Sequence, residues 1–153
     1  MGARLSPEQQ PARCIAKYAT DVATLAHAVL ATMRTRLPGA VELVYDNYNA
    51  LAIAFGATER TADAIFSIAL YPRWMSLFFV RGATLPDPQK LSKGSGKTMR
   101  HIVLKDAATV DTPAVRALMS QALEHAVSAL DATRPNRIVI KSISAKQRPR
   151  RPG

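Results

Sequence analysis

The stretch "LSKGSGKTMRHIVLKD", residues 91–106, decides the fold because it reads in two incompatible ways. Gly94-Ser95-Gly96-Lys97-Thr98 is how a nucleotide-binding P-loop ends. That motif also needs a glycine where this chain has Leu91, a buried strand just upstream and a helix just downstream. The helix N-terminus and successive backbone N–H groups are what cradle the phosphates. Upstream lies instead the proline-broken turn Leu85-Pro86-Asp87-Pro88-Gln89-Lys90-Leu91, with one helical turn expected after Pro88. Downstream, Met99 to Leu104 has the pattern of a strand. The segment Leu104-Lys105-Asp106 only weakly imitates a strand ending in a magnesium-binding aspartate. The stretch therefore predicts a tight glycine turn entering a β-strand, and the chain is not read as a P-loop NTPase.

Outward from there the apolar periodicity sets the remaining elements. Ile15, Ala19, Val22, Ala26, Val29, Met33 and Leu37 recur at three- and four-residue steps, predicting one amphipathic helix over 12–37 that ends at Pro38-Gly39. Val41, Leu43 and Tyr45 alternate with Glu42 and Asp46, the period of a half-buried strand. Leu51 to Gly56 gives a second strand after the Asp46-Asn47-Tyr48-Asn49 turn. Ala64–Leu70 and Trp74–Val80, nearly continuous in apolar residues, predict two central strands. Asp111-Thr112-Pro113 is a helix start, with a proline placed where no backbone donor is needed. The apolar stripe from Val115 to Leu130 predicts the helix body. Arg137 to Ile143 alternates like a strand.

This order predicts an α+β two-layer domain, a mainly antiparallel sheet of about five strands packed with an N-terminal and a C-terminal helix. The expected organisation is a flexible leader over 1–11, one domain over 12–143 and a disordered basic tail over 144–153.

The chain has 153 residues, enough for one domain with a real core. It carries a single cysteine, so no internal disulfide forms, and a reducing cytoplasmic compartment is expected. No apolar run approaches the ~18–20 residues that span a bilayer, so no membrane association is expected. The net charge of +10 is unevenly placed. Residues 73–105 hold Arg73, Arg81, Lys90, Lys93, Lys97, Arg100 and Lys105 against Asp87 alone, and residues 137–153 hold six cations and no acid. Localised positive charge of this kind attracts phosphates, nucleic acid or acidic partners.

The block from Met75 to Leu123 resembles the YdhG-like family, long catalogued as a domain of unknown function. The residues that carry the resemblance are Phe78-Phe79, Gly82, Leu85, Asp87-Pro88, Leu91, Gly94, Gly96-Lys97, Arg100 and the following helix. The layout is similar over most of 15–125. The chain departs at the turn after the first strand, where many relatives carry a proline and this sequence reads Tyr45-Asp46-Asn47-Tyr48. The resemblance implies a single small α+β domain and, as an alternative function, a frataxin-like iron chaperone. Such chaperoning relies on a ridge of carboxylates. The candidates here are Glu42, Asp46, Glu59 and Asp63, spread over two loops and a strand of a strongly basic chain.

Other chemistries find little support. His27, His101, His125 and Cys14 lack partners at ligand spacing, so no metal and no cofactor is expected. No Gly-x-Ser-x-Gly elbow is present, and Cys14 has no nearby histidine. Glu42 and Asp46 share a strand face but stand about 13 Å apart, too far for a carboxylate pair. An enzyme of unknown reaction stays a second alternative. The principal expectation is a non-catalytic protein binding an anionic, phosphate-bearing ligand or nucleic acid. The candidate ligand site is Arg81, Lys93, Gly94, Gly96, Lys97, Arg100 and His101. A nucleic-acid contact is expected from Arg73-Trp74, Arg81, Lys93, Lys97 and Arg100 together with Lys146, Arg148, Arg150 and Arg151 of the tail, with Trp74 and Tyr71 as the nearby stacking rings. A homodimer is a further candidate partner, since Trp74, Phe78 and Phe79 overfill one small core.

Overall fold

The glycine turn leads into a strand. In the computed structural model, which describes residues 9–152, Arg100–Leu104 is β-structure, and no helix follows Lys97-Thr98. The chain runs α1 (Gln9–Ile15), α2 (Thr20–Arg36), β1 (Val41–Asp46), β2 (Leu51–Gly56), β3 (Ala64–Leu70), β4 (Met75–Phe79), β5 (Arg100–Leu104), α3 (Pro113–Glu124) and β6 (Arg137–Ile143). The sheet order is β5-β4-β3-β2-β1-β6. Every pairing is antiparallel except β1 with β6, which is parallel. The expected α+β fold is what the chain adopts, with six strands rather than five. The sixth is Arg137–Ile143, added along β1 after α3 has crossed from the β5 edge.

Strand alternation gives the sheet two unlike faces. One face carries Val44, Ile53, Phe55, Phe66, Ile68, Leu77, Phe79 and Ile102, and all three helices pack on it. Cys14 and Ile15 of α1, Val22 to Met33 of α2 and Val115 to Ala122 of α3 join the same buried cluster. Phe66 and Phe79 meet edge to face, centroids 5.7 Å apart. The other face has only a small cluster of Val41, Leu43, Ala54 and Ala64. Large residues on one side and alanines on the other are what β2 already shows in its sequence.

Four boundaries differ from expectation. The N-terminal helix is two helices, because the chain breaks at residues 16–19 to drive Tyr18 into the core. The Tyr18 hydroxyl donates to Leu70 O (3.0 Å) and accepts from Leu51 N (3.1 Å), tying the break to β2 and β3. The leader does not extend to residue 11, since Gln9 to Pro11 begin α1 and Pro11 is buried; residues 1–8 lie outside the described residues. α3 stops at Glu124, short of the stripe's end at Leu130, and Val127 is exposed. The tail over 144–152 is docked rather than loose, through the contacts described below. Among the described residues no helix is long and apolar enough to cross a membrane.

Candidate functional site

The basic segment read over 73–105 is split by the sheet, its glycine-loop cations lying at one end and Arg73 at the other, beside the tail. In the β4–β5 register Phe79 faces Arg100 while Met75 faces Leu104, so the glycine loop and the Tyr71–Trp74 turn are a full strand apart.

At the glycine-loop end, most of the motif residues shape backbone. Asp87 accepts from Leu91 N, Ser92 N and Ser92 Oγ, and these bonds outweigh its partial burial and hold its carboxyl below the ordinary range. Gly82 is pressed so close that a Cβ would meet Arg100 Cβ at 2.7 Å. Gly94 has φ +125°, where L side chains are strained, whereas Gly96 is open on all sides without a positive φ. The bend into β5 therefore depends on Gly94 alone, not on a glycine pair. Lys93 bridges His101 through the backbone, and the His101 ring lies 5.3 Å from Phe78. The Arg100 guanidinium donates to Gly96 O (2.6 Å) and Met99 O (2.8 Å), so it closes its own loop. Arg81 and Lys97 are exposed. Arg81 instead lines a small pocket with Asp63, Ile65 and His125.

The opposite end converges. Tyr71-Pro72-Arg73-Trp74 is the tight β3–β4 turn, closed by Tyr71 N donating to Trp74 O (2.8 Å), and proline favours such a bend. It sets the two rings parallel, centroids 4.7 Å apart and 19° between planes. Trp74 is 44% exposed, so the stack is not core. Facing it, Arg148, Pro149, Arg151 and Pro152 form the other wall of a cleft of about 730 Å³, with Asn49 and Arg73 completing it. Arg73 and Trp74 also border a second groove toward Lys105. Lys146 is exposed and does not line the cleft.

The tail reaches this place because β1 ends on a buried carboxylate. Asp46 is 1% exposed, its Oδ2 taking Lys17 Nζ at 2.7 Å and its Oδ1 taking Arg150 Nη2 at 2.8 Å. Burial pushes the Asp46 carboxyl up, but the hydrogen bonds from Lys17 and Arg150, with the Gln147 amide beside them, outweigh it and leave it below the ordinary carboxylate value. The backbone continues the grip. Ser144 N donates to Asp46 O (2.8 Å) and Arg148 N to Tyr48 O (2.9 Å). Gln147 bridges Lys17 Nζ and Asp46 O, and Arg151 donates to Lys17 O and Ala16 O. The Arg150 guanidinium, only 5% exposed, also lies 5.7 Å from the Tyr18 ring centre. Sequence reasoning took Arg150 as a ligand contact. The structure buries it as an anchor, and a basic tail pairing with one unexplained acid on an apolar strand was the available signal.

The other three carboxylates considered for iron are likewise occupied. Glu42 holds Arg34, Glu59 holds Arg137, and Asp63 accepts from Thr58. The expected solvent-facing alternation of Glu42 and Asp46 is corrected, since both point to the helix side and are buried against cations. Among the described residues no three His, Cys, Asp or Glu side chains are grouped to hold a metal. Burial, reinforced by Asp46, pushes the Cys14 thiol up to about 11, so it stays protonated and unreactive near neutrality.

No protein-family model, curated protein or solved structure matches this chain.

Proposed function

We propose that this protein binds single-stranded nucleic acid non-catalytically in the cleft between the Tyr71–Trp74 stack and the docked C-terminal segment. The carrying observation is the half-exposed Trp74 ring, braced on Tyr71 and surrounded by Arg73, Arg148 and Arg151. An exposed, braced ring offers a face to a base, and base stacking is worth about 1–3 kcal/mol while tolerating any sequence. Arginines around it neutralise the flanking phosphates. Three such contacts on a single strand give a slope of about −2 in log affinity against log salt. The single, buried cysteine supports a reducing, cytoplasmic setting. Membership of the YdhG-like family remains part of the proposal, supported by the motif residues between Phe78 and Arg100, most of which shape the loop.

Trp74 is the only tryptophan, so intrinsic fluorescence reports directly on the site. Titration with a short oligothymidylate should quench it saturably, with affinity falling as salt rises. Trp74→Ala, followed by anisotropy of a labelled oligonucleotide, should weaken binding by roughly 5- to 150-fold. Lys97→Ala with Arg100→Ala should leave affinity within about twofold, since those cations lie at the other end of the sheet. No saturable binding at low salt, or full affinity in Trp74→Ala, would refute the reading.

A further inference from the structure

We propose that Asp46 and Arg150 are positioning residues for this cleft: their buried ion pair holds the C-terminal segment so that Arg148 and Arg151 stand opposite Trp74. The inference rests on the nucleic-acid reading above and assigns a role to two side chains that face no ligand.

Arg148, Pro149, Arg151 and Pro152 make up a whole wall of the cleft, and none of them belongs to a helix or strand. Their placement depends on what pins the segment. Among the described tail residues Arg150 alone is buried, and its guanidinium turns inward to Asp46 and is not part of the cleft lining. Lys17 shares the same carboxylate, so the trio keeps one net positive charge away from the cleft. Asp46 in turn sits at the last position of β1 with no exposure, where a lone carboxylate would be costly. Lys17 supplies one partner but is 40% exposed; Arg150 supplies the buried one. Arg150 also donates to Asn47 O (2.5 Å) and Tyr48 O (3.4 Å), so the anchor grips the β1–β2 turn as well as the Asp46 carboxylate.

The sign of one substitution separates this role from plain electrostatics. Asp46→Asn removes a negative charge from a protein that binds a polyanion, which by charge alone tightens binding. A positioning role predicts weaker binding. The experiment measures anisotropy of a fluorescein-labelled oligothymidylate across a salt series with the full chain. Thermal melting and far-UV circular dichroism check that each variant is folded. Asp46→Asn and Arg150→Ala should each lower affinity and flatten the salt slope by roughly 1.4, the share of two phosphate contacts. Arg148→Gln with Arg151→Gln should do the same, and adding Arg150→Ala to that pair should cost nothing more. Arg150→Lys, which keeps the charge for Asp46, should recover most of the slope. If Asp46→Asn fails to fold, Arg150→Ala carries the test, because it leaves Asp46 its Lys17 partner. Wild-type binding with an unchanged slope in Arg150→Ala, or losses that simply add to those of Arg148 and Arg151, would overturn the positioning role alone. Absence of wild-type binding would overturn the nucleic-acid reading and this role with it.

Discussion

Tyr18→Phe isolates a single oxygen atom on which the packing of the helical layer against the sheet depends. The ring is 1% exposed and lies where the chain leaves α1 for α2, and its hydroxyl stands between Leu51 N and Leu70 O. Phenylalanine fills the same space, so no cavity forms and the ring keeps its place under Arg150. What changes is that a buried donor and a buried acceptor lose their partner. An orphaned group costs about 1–3 kcal/mol, and the carbonyl, with a second lone pair, suffers less than the N–H. The expected loss is therefore about 2 kcal/mol. For a chain of this size that lowers the melting temperature by roughly 4–8 °C. Urea unfolding should show a lower midpoint with an unchanged m-value, since the buried surface is the same. Tyr48→Phe is the control. Its ring is 49% exposed, and only the backbone carbonyl of Tyr48 receives bonds, so the change should stay within about 0.5 kcal/mol. Equal stabilities for the two variants would refute the claim that the Tyr18 hydroxyl bridges β2 and β3.

Acid should release the C-terminal segment before it unfolds the domain. The Asp46 carboxyl is held below its ordinary value of 3.8, so its contribution is complete above that value and is lost as pH falls through the lower folded-state value. Trp74 emission followed against pH should show this step in the wild type and not in Asp46→Asn; a step above the ordinary carboxylate range would be inconsistent with the assignment. The two loop glycines should behave unequally. Gly94→Ala, at φ +125°, should cost about 1 kcal/mol or more, and Gly96→Ala should stay within about 0.5 kcal/mol. Matching losses in chemical denaturation would contradict the single-glycine bend.

The strands were legible because alternation and apolar content are local properties. Val41 to Tyr45, Leu51 to Gly56 and the continuous runs of β3 and β4 announce themselves within six or seven residues, and the central place of β3 follows from its being apolar on both faces. The Gly-Ser-Gly-Lys-Thr run was resolved by its flanks, because Pro86 and Pro88 upstream and a strand pattern downstream leave a phosphate-cradling helix nowhere to start. The break at residues 16–19 was not legible. Ile15, Ala19 and Val22 keep helical spacing through it, and the force that opens the helix is a hydroxyl seeking partners on Leu51 and Leu70, far along the chain.

The candidate site was half legible, and the missing half is electrostatic. Counting cations along 137–153 gives six, yet Arg137 is engaged by Glu59, Lys141 by the Glu59 carbonyl, Arg150 by Asp46 and Arg151 in part by the carbonyls of Ala16 and Lys17. The same holds in the central segment, where Arg100 closes its own loop. A net charge cannot distinguish a cation facing solvent from one neutralising a buried acid, because that depends on pairings as distant as Asp46 with Arg150. The two acids on β1 carried the clue. A strand so apolar has room for Glu42 and Asp46 only if cations from elsewhere come to meet them. The arginines that do so, Arg34 and Arg150, hold the structure in place, and in the proposed function it is Arg73, Arg148 and Arg151 that face the ligand.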